Sequence, residues 1–497
     1  MFMNTTIATI GVSAALAACG DGRGAPPDGA GDPPRLVSIA AVEDGWLRGD
    51  LHVHTNYSDD ALRQSGDWMR GSLDIVGAWR DQAWLAKNPT LVDDHLHFVA
   101  ITDHRTTAGT ADPEFHADDL IVIGGEEFGS DGHAGVWGTR THVAHEPQAT
   151  ETANQRVADA IGEVHDQGGL FSINHPAAEG DIWAWDIAEF DAIEVWNGPW
   201  SLATADLTEA RLDEAVMARG VENPAIRVAT RVGGAGRNAQ AVRFWQAYLS
   251  RGIHVPPVGG SDRHALFPAG MPTTYVLAPS RDQAGVLAGI AAGTTFVSRS
   301  PIGPQVVLSA RIDDRVYAMG AALPSATQVE IQWRVARARG GFLRLVSGAV
   351  DPSMPAPAIV HRVYLASDDV SGTFVWTPPV TGAWLHAVVV EPLPTDYPAE
   401  LEDLVRELTT FSNGSFGGIA NVLASLTDIG AILDPQTCDP ELWSEWRLQC
   451  MPADTEPLGS FYVPERLQPL LAVEFSDALT TGFAMGAISA AFMTAGP

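Results

Sequence analysis

Lysine is almost absent: Lys87 is the single lysine in 497 residues, and nearly all of the positive charge is arginine. That bias reads as codon usage. Lysine and arginine together number 30 against 61 aspartates and glutamates, for a formal net charge of −31. A surface that acidic repels phosphate backbones, which argues against a nucleic-acid partner. Cysteine is scarce as well: Cys19, Cys438 and Cys450 are the three present, and none has zinc-finger spacing. No internal repeat is found. What remains is 45% hydrophobic and 18% charged, the balance of a globular chain with a large core and about two domains.

From Trp46 to about Ser300 short apolar runs alternate with amphipathic segments that end in glycine. Val157, Ala160, Ile161 and Val164 share one face of a helix expected over Ala153 to Gln167, stopped by Gly168. A second helix is expected over Asp206 to Arg219, opened by an Asp206/Glu209 capping box and closed by Gly220. A third runs from Gln240 to Arg251, ended by Gly252. Strands and helices alternating at these lengths imply an α/β fold with a parallel sheet or barrel.

Polar clusters follow the strands. His52 and His54 alternate on one short strand, so both imidazoles leave the same face. Asp59 comes where that strand has run out. Phe98–Ile101 is followed by Thr102-Asp103-His104, and Leu120–Ile123 by Gly-Gly-Glu126-Glu127 and then Gly132-His133. Leu170–Ile173 is followed by Asn174-His175-Pro176, and Ala192–Trp196 by Asn197-Gly198. Val255–Val258 leads to Ser261-Asp262-Arg263-His264. The carboxyl edge of the strands is where α/β folds build sites. His, Asp and Glu without cysteine suit Zn, Mn or Fe in a hydrolytic, multinuclear centre of divalent ions. Glu127 is the candidate bridge, with Glu126 as the alternative.

After Ser300 the texture changes. Val329, Ile331, Trp333 and Val335 alternate with polar residues, and short strands follow at Phe342–Val346, Ala358–Leu365, Thr373–Trp376 and Trp384–Val390. This reads as an antiparallel β-sandwich. From Leu401 on, the pattern is helical and loop-like. Ala478–Ala495 is apolar but rich in small residues, and reads as a packed helix or strand pair rather than a membrane span.

At the other end, the apolar run Ile7–Ala18 closes in Leu16-Ala17-Ala18-Cys19. It resembles a bacterial lipoprotein signal with its lipobox, which implies lipidation at Cys19, export, and a membrane anchor on the bacterial envelope. Met1 to Thr6 lack the Lys or Arg such a signal carries. The Gly/Pro/Asp-rich stretch to Pro34 reads as a tether. In an oxidising compartment Cys438 and Cys450 are candidates to pair.

His-x-His…Ser-Asp, Thr-Asp-His, Gly-x-Glu…Gly-His, Asn-His-Pro and Ser-Asp-x-His, in that order over residues 46–300, resemble the polymerase-and-histidinol-phosphatase (PHP) metallohydrolases. Gly125 to Gly138 and Ile-Glu-Val-Trp-Asn resemble the carbaryl-hydrolase (CehA/McbA-like) branch. The resemblance implies a distorted (β/α)7 barrel. It implies a first ion on His52, His54, Glu127 and Asp262, a second on Glu127, His133 and His175, and a third on Asp59, His104 and His264. Asp103 would orient a ligand histidine. The implied chemistry is hydrolysis of a small-molecule substrate by a hydroxide bridging two ions. Phosphoesters are the superfamily's common substrates, and carboxyl esters or carbamates those of the branch.

Arg105 and Arg263 flank ligands, where an anionic substrate would want them, or else they pair with surface carboxylates. Trp68, Trp79 and Trp84, in the long gap after Asp59, read as an extra helix on the barrel or as an aromatic lid. Arg219, Arg227, Arg231 and Arg237, with Gly233, Gly234 and Gly236 among them, read as a solvated basic loop, the alternative being a mobile anion-binding loop; His142 and His145 read as loop histidines, and His95, His97, His116 and His165 as surface or packing residues. Trp196 and Asn197 would line the pocket. The expected organisation is signal peptide 1–19, tether 20–40, barrel 41–300, β-sandwich 301–395 and a mixed extension 396–497. A different class of reading makes the chain a lipid-anchored surface binding protein with a purely structural metal site.

Overall fold

The computed structural model describes residues 45–58, 96–392 and 483–494, apart from 56, 119, 131, 144–152, 179–180, 202–205, 232–235, 265–268, 302, 352, 354–355 and 379–381. Cys19 and the tether, Asp59, the three tryptophans of the 59–95 insertion, His95, His145, Cys438, Cys450 and the stretch from Leu401 to residue 482 lie outside the described residues.

Nine strands form the first part of the chain: β1 (Trp46–Val53), β2 (Phe98–Ile101), β3 (Ile121–Phe128), β4 (Ala134–Trp137), β5 (Leu170–Ile173), β6 (Ala192–Asn197), β7 (Pro257–Gly260), β8 (Thr273–Leu277) and β9 (Thr295–Ser298). They hydrogen-bond in the order β9-β8-β1-β2-β3-β4-β5-β6-β7. The pairs β1–β2, β2–β3, β5–β6 and β6–β7 are parallel. β4 runs antiparallel between β3 and β5, and β8 runs antiparallel to β1.

The fold is therefore mixed α/β with a curled, half-barrel sheet, not seven parallel β/α units among the described residues. The reason is local. A parallel neighbour needs a crossover, whereas an antiparallel one needs only a turn. Gly129 and Gly132, both at positive φ, make that turn: a Cβ on Gly129 would lie 2.1 Å from the Gly132 carbonyl oxygen. The chain doubles back between Phe128 and Ala134, which pair across the two strands, and brings His133 to the same rim as Glu127. The curl is completed where the segment after β7 bonds to β1: His54 N donates to Arg263 O (3.0 Å) and Ser261 N to Asp50 Oδ1 (3.0 Å).

The helices are α1 (Ala153–Asp166), α2 (Gly198–Ser201), α3 (Glu209–Arg219), α4 (Pro224–Thr230), α5 (Gly236–Ser250) and α6 (Gln283–Ala291). α1 buries Val157, Ala160, Ile161 and Val164, the expected face. α3 starts three residues later than expected. Thr208 caps it by accepting from Arg211 N, while Asp206 accepts from Gly236 N at the start of α5. A capping side chain can serve any nearby orphan donor, and here the nearer one belonged to another helix. α5 begins four residues before the expected Gln240 and buries Phe244, Trp245, Tyr248 and Leu249 against the sheet.

The remaining strands are β10 (Gln305–Ile312), β11 (Arg315–Ala318), β12 (Ala322–Leu323), β13 (Val329–Ala336), β14 (Phe342–Ala349), β15 (Ala358–Tyr364), β16 (Asp369–Trp376), β17 (Ala383–Pro392), β18 (Phe483–Ser489) and β19 (Phe492–Thr494). β11-β10-β13-β16 form a separate antiparallel sheet. Val329, Ile331, Trp333 and Val335 of β13 turn inward, as their alternation predicts. They meet Leu343, Leu345, Leu385, Ala387 and Val389 in one core.

The facing layer is not a free-standing sheet. β17 pairs with β14 and β18, and β18 pairs with β9, so this layer continues into the curled sheet. The apolar stretch near residue 490 supplies the strand pair β18 and β19 that makes the join. Among the described residues, no helix is long and apolar enough to cross a membrane. A second tie comes from α5, where Gln246 Nε2 lies 2.9 Å from Nε2 of the buried His386 on β17 and Ser250 Oγ accepts from Trp384 Nε1 (3.1 Å).

Candidate metal centre

One rim of the curled sheet collects the polar clusters. His52 on β1 and His54, the first residue beyond it, are both buried, with ring centroids 5.1 Å apart. His104 follows β2, Glu127 lies near the end of β3, His133 precedes the antiparallel β4, His175 follows β5, and Asp262 and His264 follow β7. Backbone pairing fixes the rim: Glu127 N donates to Asp103 O (3.0 Å) and Arg105 N to Glu127 O (2.9 Å). Arg105, His175 and Asp262 sit at φ of 52°, 23° and 49°, a left-handed region that side-chain-bearing residues adopt at a cost. Three such residues at strand ends on a single rim mark a backbone bent to aim its side chains.

Glu127 is the hub. Its Oε1 lies 3.0 Å from His52 Nε2, 3.4 Å from His133 Nδ1 and 3.1 Å from His175 Nε2. Its Oε2 lies 3.5 Å from His54 Nε2 and 3.0 Å from His104 Nδ1. Asp262 Oδ1 lies 3.3 Å from His52 Nε2 and 3.4 Å from His54 Nε2. His264 stacks on His54 with ring centroids 3.8 Å apart, and its Nε2 is 3.3 Å from His104 Nε2. Glu126 takes the other face of β3 and pairs with His142 Nδ1 (2.6 Å) and Val143 N (2.7 Å).

Ligand-type atoms of His52, His54, Glu127 and Asp262 all lie within 4.8 Å of one another, and so do those of His54, His104 and His264 and those of His104, Glu127 and His133. Among the described residues, the buried Nε2 of His52, Nε2 of His54 and Oε2 of Glu127 make no hydrogen bond. Close approach without hydrogen-bond alignment, in groups this costly to bury, fits a set of donors for divalent cations.

Charge is distributed accordingly among the cluster's own side chains. Burial disfavours the charged form of every member. Against burial, Glu127, Asp262 and Glu194 raise His52 well above the ordinary histidine value. Likewise Glu127, Asp262 and Glu194 overcome burial at His175 and carry it up to about 9. Burial, with His264 and His104 beside it, pushes His54 well down. Glu127 is held well below the usual carboxylate range despite its burial, by His52 and His133, and Asp262 despite its burial by His52 and His54.

A further ring of polar groups surrounds these side chains, and of its members the sequence reading gave no role to Glu194 or Asp50. Glu194 on β6 accepts from His175 N (2.9 Å) and meets His52 Nδ1 at 3.1 Å. Asn197 bridges carboxylates, donating from Nδ2 to Glu194 (3.0 Å) and Asp262 (3.2 Å). Asn174 Nδ2 donates to Glu127 Oε1 (3.0 Å). The buried Asp50 accepts from His52 N, Ser261 N and Gly270 N, tying β1 to both ends of the segment that carries Asp262 and His264. Asp103 accepts from Thr55 and from Ser58 Oγ, and that hydroxyl lies 2.9 Å from His54 Nδ1. A signal for Glu194 was available, since a lone carboxylate inside an apolar strand must find a partner.

Arg263 is fully buried and Arg105 half-buried. Arg237, read from sequence as solvated, is buried instead: it donates to Ala177 O (2.9 Å) and lies over the Trp200 ring, which neighbours His175 at 6.4 Å.

No protein-family model matches the chain, and no curated protein does. Among solved structures it is similar to a two-domain protein from Bacteroides vulgatus containing a predicted PHP-like metal-dependent phosphoesterase, at 14% identity and a TM-score of 0.31, over 69% of this chain and 91% of that one. It is also similar to PsfC from Pseudomonas syringae PB-5123, at 13% identity and a TM-score of 0.29, over 50% of this chain and 90% of that one.

Proposed function

We propose that this chain is a metal-dependent hydrolase of the PHP type, acting on phosphoesters. The observation that carries the reading is the buried convergence of five histidines on the two oxygens of Glu127, with ligand atoms left out of hydrogen bonding. His52, His54, Glu127 and Asp262 would hold one ion. Glu127, His133 and His175 would hold a second, and His104 and His264, with Asp59, a third. When bound, such ions polarise a substrate oxygen and acidify water.

The chain's own part is to hold those donors ready. Glu194 only accepts as a carboxylate, so a bond to His52 Nδ1 keeps the proton there and leaves Nε2 as the donor atom. Asn197 occupies one oxygen each of Glu194 and Asp262 and so directs their remaining lone pairs. Arg105, at the end of β2, would receive the anionic group of the substrate.

Carboxyl-ester or carbamate hydrolysis is the second reading. It is favoured by the Trp200 ring beside His175, an apolar wall suited to an aryl group. Export and anchoring through a lipid on Cys19 belong to the proposal and are tested by the mass of the mature N-terminus.

The deciding experiment loads the purified protein with Mn or Zn in turn. Turnover of an aryl phosphate is compared with that of an aryl ester and an aryl carbamate, with His52→Ala as the blank. Faster phosphate turnover, absent from the variant, is the expected result. Faster ester or carbamate turnover selects the second reading. No metal uptake and no turnover would leave a non-catalytic surface protein.

A further inference from the structure

The two ring nitrogens of His54 have different surroundings. Nε2 faces Glu127 and Asp262 at 3.5 and 3.4 Å and makes no hydrogen bond among the described residues. Nδ1 lies 2.9 Å from Ser58 Oγ. That hydroxyl is buried and has two more partners: it is 2.8 Å from Asp103 Oδ1 and 3.0 Å from His104 N.

A hydroxyl has one hydrogen and two lone pairs. The His104 N–H is a donor only, so it takes one lone pair. Asp103 also accepts from Thr55 N (2.7 Å) and Thr55 Oγ1 (2.8 Å). With both of its oxygens already accepting from Thr55, Asp103 acts as an acceptor toward Ser58 as well and takes the Ser58 hydrogen. One lone pair is left for His54. Its Nδ1 must then be the donor, and the proton is fixed on the side away from the cluster.

We infer that Ser58, oriented by Asp103 and the His104 backbone, is a positioning residue that locks His54 as the Nδ1–H tautomer and so dedicates Nε2 to a divalent cation. The inference rests on the metal-centre reading above. Ser58 also joins two ligands, since the hydroxyl that orients the His54 ring holds the backbone of His104. His52 receives the equivalent constraint from a carboxylate, Glu194, and His54 from a neutral hydroxyl. A histidine whose outer nitrogen lacks an acceptor must leave a buried N–H unpaired each time it binds a cation, which is the cost Ser58 removes.

The test uses the full chain, wild type and as Ser58→Ala, Ser58→Thr and His52→Ala. The tautomer of His54 is read from imidazole 15N shifts in the metal-free protein, and affinity and coordination from titration with Co(II) followed by its visible spectrum. The expected wild-type result is a protonated Nδ1 on His54. Ser58→Ala should give a mixture of tautomers, an altered cobalt spectrum and an affinity lower by about tenfold or more. Ser58→Thr, which keeps the hydroxyl, should restore all three.

A wild-type His54 protonated on Nε2 overturns the inference. So does a Ser58→Ala protein with wild-type tautomer, spectrum and affinity. If Ser58→Ala does not fold, the wild-type shifts and Ser58→Thr still decide. Wild-type protein that binds no cobalt would defeat the metal reading alone, because the tautomer is measured without metal.

Discussion

Glu126 and Glu127 are neighbours on β3, yet their carboxylates never meet: one bonds the imidazole of His142, the other gathers five histidines. Successive side chains of a strand leave opposite faces, so only one of two adjacent glutamates can serve a given rim. Glu127→Gln should lose at least about tenfold in metal affinity, because an amide oxygen replaces a shared carboxylate. Glu126→Gln should retain its metal and lose only the His142 pairing. Metal analysis after gel filtration separates the two, and equal losses would show that the faces are not independent.

Asp50 offers a test of the rim's scaffold rather than of its ligands. Its buried carboxyl accepts from three backbone N–H groups. Asp50→Ala leaves those donors unpaired, which costs about 3 kcal/mol of stability. Urea denaturation should show the loss, and a change under about 1 kcal/mol would mean that water replaces the carboxyl.

The pH dependence of the metal-free protein follows from the sign of the shifts. His175 is raised from 6.5 to about 9, so its contribution to stability is fully present below 6.5 and lost as pH rises through about 9. Glu127 and Asp262 are depressed, so theirs is present above the ordinary carboxylate range and lost on acidification below it. Metal-free protein should therefore weaken between pH 6.5 and 9. Bound metal takes the place of those protons and should abolish the weakening. Denaturation midpoints at the two pH values, with and without Zn, check this.

Arg105→Ala tests the substrate class. Loss of one charge-assisted contact to a phosphoryl oxygen is worth roughly tenfold in KM for an aryl phosphate. Turnover of a neutral aryl ester should be unchanged. An equal effect on both substrates would show that Arg105 props the rim instead of meeting an anion.

Deleting residues 483–494 should unfold more than an edge. β18 lies between β9 and β17, so its removal bares one edge of each and strips Ile488 and Phe492 from two cores. The expected result is loss of a cooperative transition in the whole chain, measured by calorimetry. A surviving transition of unchanged midpoint would make the strand dispensable.

Local pattern was legible wherever a residue's partner is near in sequence. The runs Phe98–Ile101 and Leu170–Ile173 form strands with those bounds, because a short buried run flanked by polar turns has few alternatives. Val329 to Val335 announced their buried face through a period of two. What stayed hidden depends on distant partners. Asp206 gave the right signal for a cap but not which helix it would serve. Arg237 looked solvated because neither Ala177 nor Trp200 is near it in sequence. The continuity of the two sheets was illegible because it runs through β18, paired with Val297 and Ser298 across nearly the whole second half of the chain.

That same pairing sets an order on the making of the protein. Ser298 emerges from the ribosome long before Ala487, its neighbour across the sheet. During synthesis the curled sheet must wait with β9 open on one side, and the layer built on β14 and β17 must wait with its own edge bare. Chain growth proceeds at about 5–20 residues per second, so both edges are exposed for on the order of ten seconds or more. Helpers that shield unpaired strands would act in that interval, and a mutation that slows the arrival of β18 would lower yield without changing the finished molecule.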